Sequence, residues 1–260
     1  MSIAALLIVL FIAFKKYSLY VSKNTFYNLA TAGAALALHW VTFFWAIKVS
    51  NVSVALATMS TGAFFTALLE PIWYRRKLIG YELLFGLIVV AGLFLIFKGD
   101  AQYGKGMLIA MVSALMGVVF TLINGKLVAK EKATIISFYE LAIGAISVTL
   151  FLGFQGSLKS ELFEISTKDL MYILILASIC TAYAFIGGVH VMKHISPYTV
   201  ILTVNLEPVY GILMAYFIFK ESEQMNPMFY LGALIILTTV IANGILKNKS
   251  STKSHEGSKE

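Results

Sequence analysis

Charge is what this chain has least of. Asp, Glu, Lys and Arg make up 13% of its 260 residues, where a soluble domain carries about 25%, and 59% of the residues are hydrophobic. A globule in water could not hide that much apolar side chain. Cysteine is nearly absent: the single Cys180 sits inside an apolar run, which excludes a disulfide framework and a cysteine-based metal cluster. The four histidines are scattered and form no HExxH pattern. Phosphate-binding loops and acidic metal clusters are missing too, which argues against an intramembrane enzyme acting on a lipid-like substrate and against any bound cofactor. Filter loops and rings of like charge, the marks of a channel, are also missing.

What is present is a series of long apolar runs. A helix crossing the hydrocarbon needs about 20 largely apolar residues, and eight full spans are expected at 27–47, 54–74, 80–97, 106–124, 134–154, 170–190, 198–219 and 228–246. That count conflicts with a seven-helix receptor. Ahead of them Ser2 to Phe14 is apolar but too short to span. It lacks the basic start and small-residue cleavage site of a signal peptide, and is read as the remainder of a helix whose beginning is missing.

Basic residues fall mainly in every second loop. With the stub taken as the first of nine segments, Lys15, Lys16, Lys23, Arg75, Arg76, Lys77, Lys126, Lys130, Lys132, Lys193, Lys247, Lys249, Lys253 and Lys259 lie on one side, 14 of the 20 basic residues. The positive-inside rule makes that side cytoplasmic, with the C-terminus inside and Met1 outside. The formal net charge of +7 is therefore a topology signal. A nucleic-acid partner would need the charge clustered on one folded face. The polar tail 247–260 is low in apolar residues and is expected to be disordered, a solvated anchor of topology in preference to the other reading, a binder of anionic lipid.

Shifting the chain on itself by 144 residues superposes VSVALATMSTGAFFTALLEPIWYRRK, from Val52, on SPYTVILTVNLEPVYGILMAYFIFKE, from Ser196. Each reads as a polar opening, an uninterrupted apolar helix and a charged exit, followed by a glycine-containing apolar helix. The first runs outside to inside and the second inside to outside. Two homologous five-helix units in opposite orientations are the inverted repeat of many secondary transporters. The expected fold is an all-α polytopic membrane bundle of two such repeats, 1–105 (incomplete at its N-terminus) and 106–246, followed by the tail.

At these residues the chain resembles the EamA-like branch of the drug/metabolite transporter superfamily. The block from Ala46 to Phe97 looks like the fourth and fifth helices of that family. The block from Ser196 to Leu246 looks like the ninth and tenth, with Pro208 and Glu221 at the family's usual proline and helix-end glutamate. The resemblance implies a ten-helix inner-membrane carrier that moves small metabolites, often outward, by alternating access. In the first block Arg75, Arg76 and Lys77 stand where the family has the helix-end glutamate, and the first helix is absent. The other reading is a nine-segment fragment that does not transport. An open frame upstream of Met1 encoding one more helix of about 20 residues separates the two.

Polar groups inside apolar spans are the candidate site, because a charge at a helix centre costs about 2.5–3.5 kcal/mol on insertion scales. Glu207 lies roughly 13 Å into its span at about 1.5 Å per residue, beside Asn205. Pro208 removes a backbone donor and crowds the preceding turn, so carbonyls near Thr203 and Val204 are expected to be freed. A substrate-amine or proton site is one reading of Glu207; a neutral glutamate bonded across helices is the other. His39, followed by Trp40 and Phe43, reads as a pocket wall or as a packed neutral imidazole, and at the repeat offset it matches Tyr183. Glu140 reads as an inner gate or as an interfacial carboxylate, and Glu70 as a structural partner for the cations at its helix end. Ser113, Gly117 and Thr121 form a small-residue row suited to close helix packing. Gly187 and Gly188 read as a hinge or a close crossing, while Glu82, His190 and His194 lie near enough to the interface to need no special role. The expected partners are a small-molecule substrate and the bilayer. A homodimer is compatible with the sequence.

Overall fold

The computed structural model describes the chain except residues 100, 159–163, 205, 220–224 and 257–260, and gives the backbone alone at 97, 208, 209, 216, 219 and 247–256. Its α-helices are α1 (Ser2–Phe14), α2 (Lys23–Val49), α3 (Val52–Met59), α4 (Gly62–Tyr74), α5 (Gly80–Gly99), α6 (Gly104–Leu127), α7 (Ala133–Phe154), α8 (Thr167–Ile175), α9 (Ala184–Val191), α10 (Pro197–Val204), α11 (Glu207–Phe219) and α12 (Pro227–Glu256). A π-helical stretch, Leu176–Tyr183, joins α8 to α9. In lipid the backbone must satisfy its own polar groups, so apolar runs become helices. Short polar residues start several of them: Asn51 accepts from the Val54 amide at 2.8 Å, Ser166 from Asp169 at 3.1 Å and Asn226 from Phe229 at 2.9 Å, each filling an orphan donor of a first turn.

Among the described residues six helical segments are long and apolar enough to cross a membrane: Lys23–Val49, Val52–Tyr74, Ala101–Leu127, Ala133–Phe154, Thr167–Val191 and Pro227–Leu246. The bundle is all-α and polytopic, as expected. Two of the eight expected spans differ. Those at 54–74 and 198–219 are each two helices, α3 with α4 and α10 with α11, residue 205 lying outside the described residues, whereas the one at 80–97 falls within α5.

The helices at 52–74 and 198–219 are not uninterrupted, contrary to the sequence reading. In the first the break is at Ser60 and Thr61. Its cause is hydroxyl crowding: Thr58 donates to the Val54 carbonyl at 2.8 Å, Thr61 to Thr58 at 2.8 Å and Thr66 to Gly62 at 2.7 Å, and such back-bonding bends a helix. In the second Pro208 supplies no N–H to Val204, four residues earlier. At the 144-residue offset the two breaks fall within one residue of each other. α12 also differs, running on to Glu256 through the polar tail; from 247 to 256 the tail has no glycine or proline to stop it.

The chain packs as two compact units, Met1–Val41 with Val119–Ser196, and Thr42–Val118 with Pro197–Glu260. Units of packing are thus not the repeats, since each takes segments from both halves of the chain. In the first unit α1 lays the stripe Ala4, Ala5, Ile8 and Ile12 into a core shared with Leu36, Ile135 and Leu141. α2 meets α7 backbone to backbone: a methyl on Gly33 would stand 2.9 Å from Ile143 Cβ and 3.0 Å from the Glu140 carbonyl oxygen.

In the second unit α5 packs along α12, α3 on α11 and α4 on α10. Each half of one interrupted helix therefore lies against the opposite half of the other. Val54, Ala57, Leu93, Tyr198, Phe229 and Ile236 share the core. Lipid tails are as apolar as leucine, so close contact through small residues holds such helices together. Gly86 lies against Phe64 and Gly92 against Gly232. Ser113 and Thr121 of the small-residue row are buried. α9 runs straight through Gly187 and Gly188, where an added methyl would meet nothing within 4 Å, so neither marks a close crossing among the described residues.

Candidate functional site

The first unit buries a carboxylate. Glu140, on α7 one residue before Leu141 of the core, is 0% exposed, as are Asn124 near the end of α6 and Ser137 one helical turn earlier on α7. Asn124 Nδ2 donates to Glu140 Oε2 at 3.2 Å. Three oxygens of this cluster, Glu140 Oε1, Asn124 Oδ1 and Ser137 Oγ, are buried with no hydrogen-bond partner. Aromatic side chains line the neighbouring core: Trp40, Phe120, Phe138, Tyr139 and Phe185 pack against it, and Tyr139 donates to the Leu19 carbonyl at 2.8 Å.

His39 and Trp40, half-buried, belong to this same unit. Tyr183, the residue that matches His39 at the repeat offset, closes the π-helical stretch and is 78% exposed. A π-helical segment is rare and is often found at functional sites. Phe43 belongs to the second unit, packed on a small alanine cluster of Ala46, Ala55 and Ala110.

The second unit holds the paired interrupted helices. Glu207 is the first residue of α11 and is exposed, and Leu206 donates its amide to Thr203 at 3.1 Å, a tightened turn at the end of α10. Thr203 and Val204 are exposed beside the break. Asn205 lies outside the described residues. Pro208 sits in the first turn of α11, where its missing N–H is tolerated. At the exit of α4, Arg76 Nη2 lies 3.1 Å from Glu70 Oε2 and 3.1 Å from Glu82 Oε2. Burial works against the guanidinium charge, but the two carboxylates outweigh it and hold Arg76 above its ordinary range. Glu70 thus finds a cation of its helix end, as read from sequence. Glu82 does have a role: it is 1% exposed and shares that cation. Nearby in the same unit Asn243 donates to the buried Tyr198 hydroxyl, and Asn243 Oδ1 is buried without a partner.

An apolar hollow of about 340 Å³ between α5 and α6, lined by Leu93, Phe94, Met107 and Met111 among others, has no polar side chain to orient a metabolite. Among the described residues no three His, Cys, Asp or Glu side chains gather as a metal site.

Sequence reasoning singled out Glu140 but missed Asn124 and Ser137, and it passed over the Tyr198–Asn243 pair. One weak signal was there: Asn124 is an amide at the end of an otherwise apolar run.

Comparison with known proteins bears on this arrangement. The chain is 26% identical over 221 residues to an uncharacterized transporter of Archaeoglobus fulgidus, an alignment covering 80% of this chain and 73% of that protein. A solved crystal structure shares the fold, with a TM-score of 0.64 at 15% identity, covering 94% of this chain and 84% of the other. The model of the EamA-like transporter family matches residues 104–244, more than half of the chain. The protein therefore belongs to the EamA-like transporter family, and it is a multi-pass membrane transporter.

Proposed function

We propose that the protein is a secondary carrier that moves a small metabolite, amino-acid-like or drug-like, out across the cytoplasmic membrane by alternating access, with its C-terminus inside. The observation that carries this reading is the crossed pair of interrupted helices, α3/α4 against α10/α11, with breaks at repeat-equivalent positions. Discontinuous helices of inverted repeats are where secondary carriers bind substrate, because irregular backbone is tolerated at membrane depth only where it is packed in protein or lines a cavity. Glu207 beside the second break supplies an anionic group suited to a substrate amine. Within the first packing unit, considered by itself, His39, Trp40 and Tyr183 offer polar and aromatic side chains of the kind that orient small organic ligands. The charge asymmetry of the loops supports the orientation.

The test is flux. The chain is reconstituted in liposomes and counterflow of labelled amino acids and cationic drugs is measured. Saturable, substrate-selective counterflow is expected; uptake no faster than in empty liposomes across that panel would overturn the reading.

A further inference from the structure

The oxygens left over around Glu140 form a pattern with a specific chemical meaning. A carboxyl and a primary amide placed side by side can make two hydrogen bonds, N–H to one carboxyl oxygen and O–H to the amide oxygen. Here the first is present, from Asn124 Nδ2 to Glu140 Oε2 at 3.2 Å. The two atoms that would make the second, Glu140 Oε1 and Asn124 Oδ1, are both acceptors without a donor and fully buried. One proton on Oε1 turns that pair from two orphans into a bond.

Ser137 completes the set. Several serine and threonine hydroxyls in these helices are spent on the carbonyl four residues back: Ser147, also on α7, donates to Ile143 at 2.8 Å, Thr66 to Gly62 at 2.7 Å, and Thr239 to Ile235 at 2.6 Å. The Ser137 hydroxyl makes no such bond. It lies one turn from Glu140 on the same helix face, so it can donate to Oε1 when the carboxyl has lost its proton.

We propose that Glu140, Asn124 and Ser137 are a proton-binding site inside the first packing unit, with two hydrogen-bonded states. In the acid state Oε1–H donates to Asn124 Oδ1; in the carboxylate state Ser137 donates to Oε1. The proton comes from water and returns to it, and no other bond changes. Use of this proton to drive export rests on the transport reading above, whereas the site itself does not.

Among the described residues no cation is paired with the Glu140 carboxylate. α7 packs against α1, α2, α6 and α9. Their titratable groups are the Met1 amine ahead of α1, Lys23, Tyr27, His39 and Lys48 on α2, Lys105 and Lys126 on α6, and His190 on α9. Among the described residues the side chain bonded to the Glu140 carboxylate is Asn124, and none of these groups forms an ion pair with it. Lys132, at the start of α7, stands over the Tyr17 ring at 3.6 Å.

The experiment is infrared difference spectroscopy of the full chain in nanodiscs across a pH series, with no substrate present. A carbonyl stretch of a protonated carboxylic acid that titrates as one group is expected in the wild type and in Glu207→Gln, and its loss in Glu140→Gln. Asn124→Leu moves that stretch to higher frequency, because the amide no longer donates to the acid's carbonyl oxygen. Ser137→Ala, a substitution that leaves the fold intact, moves the midpoint up by about one pH unit, a tenfold tighter hold on the proton. A band that persists in Glu140→Gln, no titrating band at all, or an unmoved midpoint in Ser137→Ala overturns the proposal. So does a band abolished by sodium at constant pH, which would make the site one for a metal cation. Absent flux in liposomes together with the titrating band would count against the transport reading and leave the proton site standing.

Discussion

Gly92 and Gly232 meet where α5 crosses α12: a methyl group on Gly232 would stand 2.6 Å from the carbonyl oxygen of Gly92 and 2.6 Å from Ile96 Cγ1. Gly232→Ala must therefore push the two backbones apart, and overpacking of this kind costs about 1–3 kcal/mol. Gly244, later on the same helix, has its nearest neighbour at 3.6 Å, so Gly244→Ala gains helix propensity of about 1 kcal/mol. Thermal unfolding in detergent is expected to rank the three proteins Gly244→Ala, wild type, Gly232→Ala. A Gly232→Ala protein as stable as wild type would mean that the crossing is looser than described.

Arg76 is the shared cation of two buried carboxylates. Arg76→Ala takes the shared cation from Glu70 and Glu82 and is expected to cost about 3–5 kcal/mol, the usual effect of breaking a buried pair by removing one partner. The triple change Arg76→Met, Glu70→Gln, Glu82→Gln removes charge and partner together and should recover most of that loss. Equal stability of the single and triple variants would show that the charges are not what matters there.

Arg75 holds a left-handed conformation, φ 52, as the residue that closes α4. Left-handed backbone costs a non-glycine residue about 1–2 kcal/mol, and Arg75 is exposed. Arg75→Gly is thus expected to raise the unfolding temperature. A fall would point to a contact of the Arg75 side chain that outweighs the strain.

Glu207→Gln preserves volume and removes the charge beside the second helix break. Transport in liposomes is expected to drop at least tenfold, while yield in the membrane fraction stays at the wild-type level, since an exposed residue at the start of α11 holds no packing together. Flux equal to wild type would reduce Glu207 to a structural residue.

Most of the architecture could be read from the chain because apolar length is a local property: the bounds of α1, α2, α6 and α7 follow from where hydrophobic runs begin and stop. The break at Ser60 and Thr61 was hidden because no proline marks it. Whether a threonine hydroxyl bends its helix depends on which carbonyl it takes, and that is decided by packing. Glu82 looked interfacial because the partner that buries it, Arg76, reaches it across a turn. Glu140 stood out as a charge in an apolar span, yet its meaning lay in Asn124, on another helix, and in a serine that looks like any other.

The interlocking of α3 with α11 and of α4 with α10 has a consequence for how the molecule comes to exist. Severed in the segment between α5 and α6, the polypeptide would leave two pieces, each holding only parts of both cores. Neither piece could finish folding until it met the other. A ribosome that has released only the first half has made no completed body, and the early helices must wait in the bilayer for partners not yet synthesised.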